Sequence, residues 1–337
     1  MFAAATALVW IDVVVTGERG HPIGPLGPEE FSLLEDGKPK KISVFRHVAP
    51  GGADTSPGQG SAGESTGVAA PEFGRLFAVL VDDLGMRSRH VERARSVVAK
   101  LLALTHHGDR VWIIAPESNV VASAHAPEGS RSILEELERV RGHLDQNLSR
   151  ATSQGELRAI YWLRVERLVH TLAALRDHPG PKALIYIGES LPYSNAMGGR
   201  AAYEAAMGAA DAAGASIHFL GLNDRPVTFL THGTFGPGPS ILPPPWARQP
   251  SGLLEAVAAD TAGLIAPTTD AWSSAVDRLG RSSQGYYLMG ILPAEPDAGQ
   301  CHRIEIRVPG RKVEIRARKG YCGASLPKVD SSPGPRR

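Results

Sequence analysis

The stretch that decides the fold runs Leu76-Phe77-Ala78-Val79-Leu80-Val81-Asp82-Asp83-Leu84-Gly85-Met86-Arg87-Ser88. Six apolar residues in a row predict a strand covered on both faces, because a strand with one wet face would alternate. Two carboxylates, Asp82 and Asp83, follow without a break. Ser88 then stands as the N-cap of a helix that carries Val91, Ala94, Val98 and Leu101 on one face. An open α/β sheet places ligand chemistry in this way, at the carboxyl end of a strand.

Outward from this point, residues 75–283 alternate strand and helix. Gly108-Asp109-Arg110 leads into a strand at 111–115. Ser132 and Glu135 have the spacing of a capping box for a helix through Arg141. A long amphipathic helix carries Leu157, Ile160, Tyr161, Leu168, Leu172 and Leu175 and stops near Pro179-Gly180-Pro181. Then come a strand at 183–187, a helix at 201–213, a strand at 216–222, a helix at 252–260, a strand at 264–266 and a helix at 271–281. Repeated β-α units predict an α/β fold, a doubly wound and mostly parallel sheet with helices on both faces. A Pro/Gly-rich loop at 225–250, ending in Pro243-Pro244-Pro245-Trp246, interrupts the series. It reads as a rigid surface loop rather than a polyproline ligand.

The flanks follow a period of two. Val9, Ile11, Val13 and Val15 alternate, and a Gly/Pro-rich turn covers 20–28. Strand-like runs at 31–35 and 41–45 flank Asp36-Gly37, a hairpin signal. Residues 49–72 hold six glycines and no Ile, Leu, Phe or Trp, the composition of a flexible linker. Beyond 283, residues 286–291 form a strand. Ile304, Ile306 and Val308 alternate with charged residues up to Pro309-Gly310, and Val313, Ile315 and Ala317 do so after it. Folding about that turn sets Ile306 opposite Val313 and Ile304 opposite Ile315. A lone hairpin is marginal. The N-terminal β segment (1–48) and the C-terminal one (284–322) are therefore expected to pack into one β-sandwich. The α/β domain (73–283) is inserted between them, and 323–337 form a disordered tail.

Composition narrows the function classes. The 337 residues are 42% hydrophobic and 21% charged, with a net charge of +1 and 6% aromatics. No global field or base-stacking surface points to nucleic acid. No run reaches the ~18 apolar residues of a membrane span. Met1 to Trp10 resemble the end of a signal peptide without a basic n-region. Export is expected if a signal sequence lies upstream of this start, a cytoplasmic location otherwise. The two cysteines, Cys301 and Cys322, exclude a zinc site made from cysteine alone. An oxidising compartment would allow a disulfide between them. The hairpin register does not pair them, which favours two free thiols.

The segment 76–88 resembles the opening of a von Willebrand factor type A (VWA) domain, whose first strand ends in D-x-S-x-S. The run from Val9 to Tyr321 is similar to VWA-related proteins described from acidobacteria. Three motifs carry the likeness: Leu34-Glu35-Asp36-Gly37-Lys38-Pro39-Lys40-Lys41-Ile42, Lys182-Ala183-Leu184-Ile185-Tyr186-Ile187-Gly188-Glu189-Ser190, and Tyr286-Tyr287-Leu288-Met289-Gly290 with the closing Arg318-Lys319-Gly320-Tyr321. The resemblance implies an exported, non-enzymatic protein-binding module. It also implies a metal-ion-dependent site for Mg²⁺ or another hard divalent cation, completed by a partner's carboxylate. Asp82 takes the first position of that motif, but Leu84 and Met86 stand where the serines belong. Glu189 falls where the fourth-strand Asp would be, and Asp83 adds a carboxylate. Ser88, Ser190 and Thr152 are the nearest hydroxyl ligands. The site is thus degenerate. Without a metal, Leu84, Met86 and Ser190 would meet the partner through the loops, or the chain is a metal-free scaffold in which Asp82 and Asp83 only favour a helix N-terminus.

A serine hydrolase is the reading from a different class. Gly188-Glu189-Ser190-Leu191-Pro192 nearly matches the nucleophile elbow G-x-S-x-G, with Asp270 as acid and His302 as base downstream. Pro192 replaces the last Gly, and the next helix begins near Ala201 instead of at the nucleophile. No H-E-x-x-H, Walker or G-x-G-x-x-G motif is present at a strand–helix junction.

Overall fold

The computed structural model describes residues 8–17, 23, 25–48, 75–150, 153–178, 182–223, 252–282, 285–292 and 301–322. The expected linker at 49–72, the tail at 323–337, the Pro-Trp loop and Thr152 lie outside the described residues.

Residues 75–282 contain a six-stranded sheet. Its strands are β5 (Leu76–Val81), β6 (Asp109–Ala115), β7 (Val120–Ala126), β8 (Lys182–Gly188), β9 (Ala215–Asn223) and β10 (Ile265–Thr268), in the order β10-β9-β8-β5-β6-β7. All pairs are parallel except β6 with β7. The chain moves from β5 outward to β6 and later returns to β8 on the other side of β5. The strand order therefore reverses between β5 and β8, and the crevice at their carboxyl ends is where such sheets bind ligands.

The continuous apolar run of β5 is used on both faces. Phe77, Val79 and Val81 pack with helices α1 (Val91–Leu102), α2 (Ser130–Leu137) and α7 (Thr269–Ser282). Leu76, Ala78 and Leu80 pack with α4 (Gln154–Leu175), α5 (Gly199–Ala213) and α6 (Leu253–Asp260). A short helix, α3 (Leu144–Arg150), precedes α4. Two local expectations change. Ser132 lies inside α2, where its hydroxyl donates to the Gly129 carbonyl, so it caps nothing. The capping box is Ser153 with Glu156, at the start of α4. Ser88 opens a 3-10 turn and donates to the Gly142 carbonyl instead of capping α1.

The terminal segments build two four-stranded antiparallel sheets. Their strands are β1 (Val9–Thr16), β2 (Ser32–Glu35), β3 (Lys38–Pro39), β4 (Val44–Val48), β11 (Tyr286–Ile291), β12 (Cys301–Arg307), β13 (Glu314–Arg316) and β14 (Gly320–Cys322). The orders are β13-β1-β11-β4 and β14-β12-β2-β3. Each sheet mixes strands from both ends of the chain, and they share one apolar core that includes Ile11, Leu33, Met289 and Ile304. Asp36 and Gly37 turn β2 into β3 with φ of 51° and 80°, the signature of the hairpin read from Asp-Gly.

The expected hairpin about Pro309-Gly310 does not form. β13 pairs with β1, setting Ile315 opposite Val15, while β12 pairs with β2 and β14. The period-two pattern fixes the buried face of each strand but not its neighbour, and both strands find longer apolar partners in the N-terminal segment. One consequence reverses an expectation from the sequence: the β12–β14 register sets Cys301 directly opposite Cys322.

The two parts meet through polar contacts. Arg318 pairs with Asp211 of α5 at 3.2 Å. Lys319 reaches Asp260 at the end of α6 by its ammonium group and by its backbone N–H, each at 3.2 Å. Gly320 lies so close to the His302 carbonyl that an added Cβ would come within 2.5 Å. The Tyr321 hydroxyl donates to buried Glu35. Every residue of the closing Arg318-Lys319-Gly320-Tyr321 motif thus has a structural task.

Candidate functional site

The crevice between the carboxyl ends of β5 and β8 gathers Asp82, Asp83, Arg87, His90, Arg164, Tyr186, Glu189 and Ser190. Asp82 follows β5 and is 4% exposed. Its Oδ2 accepts from Arg164 Nε at 2.6 Å and from the Tyr186 hydroxyl, and it forms an ion pair with Arg164 Nη2 at 2.5 Å; its Oδ1 accepts from the Gly85 N–H at 3.1 Å. Burial works against a charged guanidinium, but Asp82 and Tyr186 outweigh it and hold Arg164 protonated. Burial, then the Asp82 charge, pushes the Tyr186 hydroxyl well up. The same Nη2 of Arg164 donates to the Glu189 carbonyl at 2.6 Å, tying β8 to β5.

Two glycines make room for this network. A Cβ on Gly85 would collide with the Arg164 guanidinium and Asp82, and one on Gly188 would lie 2.8 Å from the Asp82 Cβ.

The other carboxylates face elsewhere. Asp83 accepts backbone N–H groups from Glu117 at 3.1 Å and Ser118 at 2.6 Å, which anchors the β6–β7 loop. Burial raises its pKa against those donors. Glu189 lies 3.4 Å from Arg87 and 3.3 Å from His90, and burial raises its pKa while Arg87 lowers it. Ser190 donates to both oxygens of buried Glu255 on α6, each at 2.9 Å. Arg87, whose side chain is 33% exposed, also pairs with Asp145 of α3 at 2.7 Å.

This donor set does not fit a hard divalent ion. The carboxylate at the first acidic position is already filled by a guanidinium, and Leu84 and Met86 bring no oxygen. Among the described residues, no three His, Cys, Asp or Glu side chains converge on one point. Leu84 and Met86 are also 4% and 0% exposed, so neither is presented to a partner as expected from their place in the loop. Both fill the space beneath it, Met86 in the same core as α1. Of the expected surface residues, Ser190 alone remains partly exposed.

The candidate hydrolase residues have other partners. Ser190 bonds Glu255, whereas His302 lies on β12, 2.7 Å from Asp36 and stacked on Tyr321. Asp270 is exposed in the first turn of α7.

Arg164, Tyr186, Glu255 and Arg87 did not stand out in the sequence. The signal was present for two of them. Arg164 interrupts the apolar face of α4 between Tyr161 and Leu168, and Tyr186 carries a hydroxyl inside the buried run 184–188 of β8. A charge or hydroxyl at such a position requires a buried partner. Only the sheet order says that the partner is Asp82.

No family model matches the chain, and no curated protein does. Among solved structures, one similar chain comprises the three N-terminal domains of the type V pili tip protein Mfa5 from Porphyromonas gingivalis. The identity is 10%, over 56% of this chain and 28% of that one, with a TM-score of 0.23.

Proposed function

We propose that this chain is a non-enzymatic, VWA-like protein-binding module whose carboxyl-end face docks an acidic group of its partner without a bridging metal. The observation that carries this reading is the guanidinium of Arg164 on Asp82. It supplies inside the fold the positive charge that a bound cation would supply. The crevice is then a fixed platform. Arg87, partly exposed, is a cation on it, already holding the carboxylate of Asp145 in the way that it would hold a partner's. The β-sandwich supports the platform from the opposite side through the Arg318 and Lys319 contacts.

The test is selection of a random displayed peptide library on the immobilised full chain in chelator. Recovered peptides are expected to be rich in Asp and Glu, to bind at least tenfold more weakly to the Arg87→Glu variant, and to be indifferent to added Mg²⁺. Binding that requires Mg²⁺ or Mn²⁺ and disappears in Asp82→Ala would establish the metal-bridged version instead. Recovery of peptides with no acidic preference would remove the proposal. A fluorophosphonate probe serves the hydrolase alternative: no labelling is expected, and labelling lost in Ser190→Ala would reinstate it.

A further inference from the structure

The chain has two cysteines in 337 residues, and the β12–β14 ladder sets them directly opposite one another. The parity of that ladder is fixed by two independent hydrogen bonds. The Ile304 N–H donates to the Lys319 carbonyl at 2.8 Å, so residue 304 turns its backbone groups towards β14. The Asp36 N–H donates to the Arg303 carbonyl at 2.9 Å, so residue 303 turns towards β2. Backbone groups alternate along a strand, so residue 302 bonds towards β14 and residue 301 away from it. Cys301 and Cys322 are therefore a non-hydrogen-bonded antiparallel pair. Such pairs bring Cα atoms to ~4.5 Å, inside the ~4.4–6.8 Å span of disulfides.

We propose that Cys301 and Cys322 form a disulfide that fastens β14 to β12. The oxidant is a disulfide of the thiol-exchange class. One cysteine thiolate attacks it to give a mixed disulfide, and the other thiolate then displaces the oxidant's sulfur. The chain loses two protons and two electrons, and the oxidant leaves as two thiols. The bond closes the loop that carries Arg318 and Lys319. It holds in place the three-residue strand whose neighbours grip α5 and α6. A strand this short is otherwise secured by few ladder bonds.

The full chain is equilibrated in a glutathione buffer rich in the oxidised form, quenched in acid, denatured and alkylated. No alkyl adduct is expected before reduction and two after it, and the unreduced digest should contain one cross-linked peptide with both cysteines. Reduction should lower the melting temperature by roughly 5 °C. The Cys301→Ser/Cys322→Ser chain should melt at the reduced value with or without reductant. Two adducts on the unreduced monomer would overturn the proposal, as would cysteines found only in links between chains. The mass measurement needs no variant, so a misfolded substitution leaves the test intact.

Discussion

Arg164 shows how much one side chain decides here. It is buried, and its two hydrogen bonds and its ion pair with Asp82 close the crevice at Asp82 and at the Glu189 carbonyl. Removing one partner of a buried pair leaves the other charge without compensation, which costs about 3–5 kcal/mol. Urea unfolding of Arg164→Met is expected to show a loss of that size. Asp82→Leu combined with Arg164→Met should recover most of it, because an apolar pair needs no compensation. If the double variant were as unstable as the sum of the singles, the charges would not be acting as a pair. Gly85 belongs to the same unit. Its backbone N–H is an Asp82 donor, and its missing side chain is the space through which Arg164 passes.

At the scale of elements, β9 and β10 are locked by a neutral histidine. His218 is buried on β9, and its Nδ1 accepts the Leu264 N–H at 3.0 Å, while its Nε2 lies 3.1 Å from the Ser216 hydroxyl. A proton on Nδ1 would face that N–H. Burial, helped by the charge of Arg316, pulls the imidazole pKa down to about 3. The folded pKa is depressed, so the stabilisation is complete above the unfolded value of about 6.5 and is lost as pH falls towards 3. Unfolding measured between pH 6.5 and 3.5 is expected to lose on the order of 4 kcal/mol more in the parent than in His218→Gln. Equal acid sensitivity in the two chains would show that this histidine is not the buried neutral group described.

Across the whole molecule, the seam between the β-sandwich and the α/β sheet carries Asp12. Burial pushes its carboxyl up to about 6, against the lowering charges of Arg318 and Lys182. The sign is opposite to that of His218. A carboxyl with a raised folded pKa contributes fully below its unfolded value near 4, and the contribution fades as pH rises through 6. Asp12→Asn is therefore expected to gain about 1–3 kcal/mol over the parent at pH 8 and nothing at pH 4. Thermal melts at the two pH values decide it, and a gain that is the same at both would point to packing instead of charge. Among the described residues the seam carries polar pairs: Arg318 with Asp211, Lys319 with Asp260, Lys182 near Asp12. Polar interfaces between parts of a chain permit relative motion unless something fixes them, and the cross-strand cysteine pair lies three residues beyond Lys319.

The sequence by itself determined most of the alternation of strand and helix between 75 and 282, though not β7, which follows β6 with no helix between them, together with the double-faced burial of β5, the Asp-Gly turn and the expectation that both termini join in one β structure. The first three follow from local periodicity or turn chemistry, which a strand or helix carries within its own residues, and the fourth from the marginal stability of an isolated hairpin. Tertiary structure alone decided the neighbours. The period-two pattern of 303–317 fits a hairpin as well as it fits two strands in different sheets, and competition for the apolar face of β1 and β2 settled it. The same holds at the crevice. Asp82 is legible as a carboxylate at the end of a strand. Whether it holds a metal, a helix terminus or an arginine 82 residues away depends on α4 lying across β5, and that is a long-range packing outcome which no local spacing encodes.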